Sequence, residues 1–162
     1  MKTKKTAQIG MFIALAFVLS YLETMIPINF GIPGIKPGLS NLVVLFCLYR
    51  LGTKTAFCMA VVRIVLAGLT FGNLSTMMYS LAGGILSFIV MYLLKKSGKF
   101  SVQGVSAAGG VTHNIGQLIV AAAMIGNRML AYYMPFLLVS GVLAGAAVGL
   151  LGGILIKRVP DL

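Results

Sequence analysis

Arg63 stands inside a long apolar run, nine residues past Lys54. On a helix rising about 1.5 Å per residue, that is about 13 Å in along the axis, near the middle of a membrane. Arginine there is costly and characteristically faces a bundle interior, a partner or an anion. Two readings follow. Arg63 either pairs with Glu23, the one acid in the apolar region, or helps hold an anionic or strongly polar substrate, joined by Lys36 from an outer loop.

A second polar cluster lies in the run GGVTHNIGQL. His113 and Gln117 are four apart and Asn114 and Gln117 three apart, so all three share a helix face. One buried His or Asn is ordinarily an interhelical hydrogen bond, but three on one face favour a solvated or ligand-lined cavity. A softer group falls in the outer half: Asn73, Ser75 and Tyr79, Tyr21 and Glu23, and Asn127 with Arg128. Aromatic residues at such a depth also serve as interfacial anchors. Phe30 and Phe71 are candidates to lid a flat ligand. Asn73 and Tyr79 join Lys36, Asn41, Arg63, His113, Asn114 and Gln117 as the expected substrate-binding set.

Catalytic chemistry finds little to work with. The acids are Glu23 and the terminal Asp161, so Asp-rich magnesium sites, a phosphate-cradling glycine loop with its lysine and a Ser/His/Asp arrangement are all missing. One His without a nearby carboxylate makes a poor metal site, and Cys47 and Cys58 sit in apolar runs, away from any disulfide framework. No cofactor or metal is expected. The residues are equipped to bind something and not to transform it.

These groups must be positioned within a membrane. The 162 residues are 59% hydrophobic and 9% charged, with mean hydropathy +1.03, against about 25% charged in a soluble domain. The net charge of +11 could suggest nucleic acid, but the basic residues fill gaps between apolar runs without interleaved aromatics. They read as topology signals. The basic, apolar start resembles a signal peptide, yet it has no convincing small-x-small cleavage site before Glu23 and is expected to remain as the first span.

Cutting at polar and turn clusters leaves six apolar segments, about 7–26, 39–51, 54–71, 74–94, 104–125 and 132–156. A span needs roughly 20 helical residues, and the second segment is too short. It follows the kinked loop PGIKPG and then Ser40-Asn41, with proline, Ser and Asn as helix-start signals. A plain connector is one account of that loop. The other is a loop dipping into the protein, since irregular backbone at membrane depth must be buried or line a cavity. With alternating segments, ten of the 13 Lys and Arg fall on one side. That side is the cytoplasm by the positive-inside rule, which puts both termini there and the Pro-Gly loop outside.

Small residues recur at helical spacing. Gly141, Gly145, Gly149 and Gly153 draw a groove down the last segment, and Thr6, Gly10 and Ala14 do so on the first. Such faces let helices approach closely, within the chain or against another subunit. The first helix is the better docking candidate.

The stretches PGIKPGLSNLVVLFCLYRLGTKTAF, LAGGILSF and GGVTHNIGQL resemble a bacterial membrane family known both as Gx transporter and as heptaprenyl diphosphate synthase component I. The likeness runs over nearly the whole chain. Its fold is similar to the substrate-binding S component of energy-coupling factor (ECF) importers, six-helix proteins that dock through the first helix to a transmembrane subunit driven by two ATPases. The resemblance implies a lid at Pro33–Asn41 and docking at Gly10 and Ala14, where the usual Ala-xxx-Ala reads Gly-xxx-Ala. It also implies a polar pocket at Arg63, His113, Asn114 and Gln117.

The expectation is therefore an all-α, single transmembrane domain over residues 1–162, a six-helix bundle with a re-entrant or lid-like outer loop after helix 1. Its implied setting is the bacterial inner membrane. The expected function is binding of a small metabolite, such as a flavin or a quinone or isoprenoid precursor, for an ECF-type importer. The alternatives are an accessory subunit of heptaprenyl diphosphate synthesis and a purely structural membrane protein.

Overall fold

The computed structural model describes residues 2–26, 38–126 and 128–159. Every regular element among them is helical: α1 (Lys2–Met25), α2 (Leu39–Arg50), α3 (Thr53–Phe71), α4 (Leu74–Ser97), α5 (Val102–Ile125) and α6 (Met134–Arg158), with a 3-10 turn at Arg128–Tyr133 before α6. Five helices are long and apolar enough to cross a membrane. The chain is a multi-pass membrane protein, a six-helix bundle in which the apolar segments became the helices.

Local chemistry explains the helix ends. The Asn73 side chain accepts from Thr76 N–H at 2.8 Å while Thr76 Oγ1 takes the Asn73 N–H at 2.9 Å, a reciprocal cap on α4. Ser101 caps α5 through Gly104 N–H. Gly98 closes α4 at φ 67, a left-handed turn that needs no Cβ.

The short helix is the centre of the bundle. With 12 residues α2 rises only about 18 Å, too little to span. Val43, Val44, Leu45, Phe46, Cys47 and Leu48 are all buried, against Phe12 and Ala16 of α1, Met59 and Ala60 of α3, Phe88 of α4 and Val148 of α6. A helix apolar on every side is stable only when covered on every side. The long helices instead turn Leu69, Leu143 and Phe136 outward, as lipid-facing helices must.

Glycine lets the outer helices close around it. A Cβ on Gly145 would lie 2.6 Å from the Ser106 carbonyl oxygen, and one on Gly149 2.6 Å from Gln103 Cα. Gly110 and Gly141 meet backbone to backbone in the same seam. Three members of the expected groove on α6 thus pack within the chain against α5. Gly153 does not: its Cβ would meet only Val102, at 4.0 Å. Gly152, one residue away, lies against Leu45 of α2 instead. On α1, Thr6, Gly10 and Ala14 are exposed.

The basic end of the bundle is laced together. Arg50 donates to the carbonyls of Ile156 and Val159 at the end of α6. Lys95 of α4 donates to the Leu48 carbonyl and lies 4.9 Å above the Tyr49 ring. Cations here cap the carbonyl ends of α2 and α6, so these two side chains hold helices together as well as marking topology.

Candidate functional site

From the opposite end of the bundle to beyond its middle, the helices part around a cavity of about 130 Å3. All six contribute: Glu23 from α1, Ser40 and Asn41 from α2, Arg63 from α3, Ser87 from α4, His113, Asn114 and Gln117 from α5, and Ser140 from α6. On α5 alone the lining runs from Ser106 to Gln117, about 16 Å along the axis. That is more than half of a hydrocarbon core of about 30 Å.

The floor is built by the start of α2. Its N-cap Gly38 has φ 76 and no side-chain cap, and a Cβ there would lie 3.6 Å from Val148, near the midpoint of α6. The helix therefore begins inside the bundle, where its macrodipole places partial positive charge. Helix N-termini at membrane midplane are a recurring way to hold anionic groups. The re-entrant loop expected before α2 falls at residues 27–37, outside the described residues.

Arg63 is 8% exposed and aims at this helix start. Nη2 donates to Asn41 Oδ1 at 2.9 Å and Nη1 donates to Ser40 Oγ. Ser40 Oγ in turn donates to Glu23 Oε2 at 2.9 Å, and Ser40 N–H to Glu23 Oε1 at 3.4 Å. The contact anticipated between Arg63 and Glu23 thus runs through a serine. Nε of Arg63 has no hydrogen-bond partner among the described residues.

Five of the eight expected binding residues line this one cavity: Asn41, Arg63, His113, Asn114 and Gln117. Asn114 also ties α5 to α6, donating to the Leu137 carbonyl at 2.6 Å and to Ser140 Oγ at 3.4 Å. Asn73 is spent on its helix cap, and neither it nor Tyr79 lines the cavity. Lys36 lies outside the described residues, as does Phe30. Phe71 lines the cavity wall and stacks on Phe17 and Tyr21, each at 5.1 Å between centroids.

Sequence reasoning passed over Ser40, Ser87 and Ser106, all buried and all in the lining. Ser40 was legible as a helix-start residue and as part of the implied lid, not as a partner of Arg63 and Glu23. Ser87 and Ser106 carry no signal, because a lone serine in an apolar helix ordinarily bonds its own backbone. Among the described residues no group of three or more His, Cys, Asp or Glu is arranged to hold a metal ion.

The model of one protein family, heptaprenyl diphosphate synthase component I, matches residues 12–155. The chain belongs to that family. The matched range takes in α2, Arg63 and the whole cavity lining. The family is described as a component, one part of a larger assembly. No curated protein and no solved structure is detectably similar to the chain.

Proposed function

We propose that this chain is a substrate-binding membrane subunit that takes a small metabolite from the outer face for an ECF-type importer. The observation that carries the reading is the cavity itself, with a buried arginine at a half-length helix that begins inside the bundle. The cavity runs from the end of the bundle away from the Lys and Arg clusters to beyond the bundle's middle. The positive-inside rule places that end outside and both termini in the cytoplasm of a bacterial inner membrane. Arg63 and the α2 N-terminus hold an acidic group of the ligand, with Asn41, His113, Asn114 and Gln117 as neutral partners and Lys36 as a further expected contact.

The exposed Gly10 and Ala14 on α1 suit close approach by a transmembrane partner helix, with ATP hydrolysis on two further chains. A second reading, an accessory subunit of heptaprenyl diphosphate synthesis, is favoured by the family's description. Under it the partner is a catalytic chain with its own magnesium sites.

Mass spectrometry of small molecules and chains that leave with the gently purified protein separates the two. A stoichiometric polar metabolite with ATPase subunits is the expected result. A prenyl diphosphate with a prenyl synthase chain would replace it with the second reading.

A further inference from the structure

We propose that the ligand presents one negative charge to Arg63, as a carboxylate or comparable monoanion, and that the cavity excludes a diphosphate. This deepens, and rests on, the reading of the cavity as a ligand site. Among the described residues the lining holds one basic and one acidic side chain of opposite formal charge, Arg63 and Glu23, which cancel. The start of α2 adds about half a positive charge. Even a phosphomonoester carries about −1.5 to −2 near neutral pH, and a diphosphate carries more. Inside a bundle the excess would stand uncompensated, and an unpaired buried charge is strongly disfavoured. Lys36 supplies at most one more positive charge, and His113 is the remaining titratable side chain of the lining.

The free donors agree in shape. A guanidinium offers five N–H groups in a planar fork. Ser40 and Asn41 take two of Arg63's, and Nε has no partner among the described residues. A guanidinium can meet a carboxylate through two parallel hydrogen bonds, and Arg63 keeps N–H groups unmatched among the described residues. Glu23, already bonded to Ser40 N–H and Oγ at the start of α2, acts as a resident counter-charge that sets how much further anion the site accepts.

The test uses two probes with the same tail and different heads, farnesoate and farnesyl diphosphate, on the full chain in detergent. Farnesoate is expected to raise the melting temperature and bind at least tenfold more tightly than the diphosphate. Glu23→Gln, which removes one negative charge, is expected to narrow that ratio at least tenfold. A preference of the unaltered protein for the diphosphate, or equal binding of both, overturns the proposal. If neither binds, the molecule extracted from the purified protein decides. One acidic group supports the inference; a diphosphate overturns it while leaving the binding role standing. An extract with no small molecule overturns both.

Discussion

Arg63 and Glu23, on different helices, grip opposite sides of one hydroxyl, that of Ser40. A serine hydroxyl has one hydrogen to give and lone pairs to receive, so it donates to the carboxylate and accepts from the guanidinium. The arrangement fixes the start of α2 between α1 and α3 and leaves part of the guanidinium turned to the cavity.

Arg63→Ala should therefore fail in two separable ways. It leaves Glu23 buried without its counter-charge, a loss of about 3–5 kcal/mol for a broken buried pair. The double variant Arg63→Met with Glu23→Gln should regain most of the melting temperature without regaining the co-purified ligand. Restored ligand in the double variant would assign Arg63 to structure alone.

Ser40→Ala should cost about 1–3 kcal/mol, the penalty for stranding buried polar partners. Denaturation of the detergent-solubilised chain measures it. A change within error would mean that the relay does not hold α2.

Asn114→Ala and Gln117→Ala should part company. Asn114 bonds the Leu137 carbonyl, so its loss lowers stability as well as ligand retention. Gln117→Ala should reduce retained ligand with the melting temperature little changed. Asn73→Ala is the control outside the cavity: it should lose about 1 kcal/mol of capping energy and no ligand.

Gly145→Val should disrupt the α5–α6 seam, because a Cβ there lies within 2.6 Å of the Ser106 carbonyl and the backbone cannot yield cheaply. Overpacking of this kind costs about 1–3 kcal/mol or more. Gly153→Ala, with only Val102 4.0 Å away, should fold normally. Size-exclusion profiles and melting temperatures of the pair would show whether the groove acts inside the chain.

Gly10→Leu with Ala14→Leu should leave both fold and ligand intact while removing partner chains from the purified complex. Nothing within 4 Å opposes a Cβ at Gly10. Undiminished co-purification would move the docking surface off α1.

The sequence by itself determined the helices and the membrane. Apolar runs separated by polar clusters must become helices in lipid, where every backbone group needs an internal partner. The shortness of the Leu39–Arg50 segment already implied a helix that cannot span. Arg63 was conspicuous because a charge in an apolar run is rare, and the shared face of His113, Asn114 and Gln117 followed from spacing alone.

Only the tertiary structure decided which of these residues meet. Spacing reports neighbours on one helix and is silent across helices, so it could not bring Asn41 and Arg63 together, insert Ser40 before Glu23, or put Ser87 and Ser106 in the same lining. Nor could it tell that Asn73 serves its own helix cap, since a capping asparagine and a binding one look alike until the Thr76 N–H is in place. Gly145 and Gly153 are identical in sequence terms, yet a Cβ on one would clash with the backbone of α5 and a Cβ on the other would only touch Val102 at 4.0 Å, because a helix has several faces and packing chooses among them.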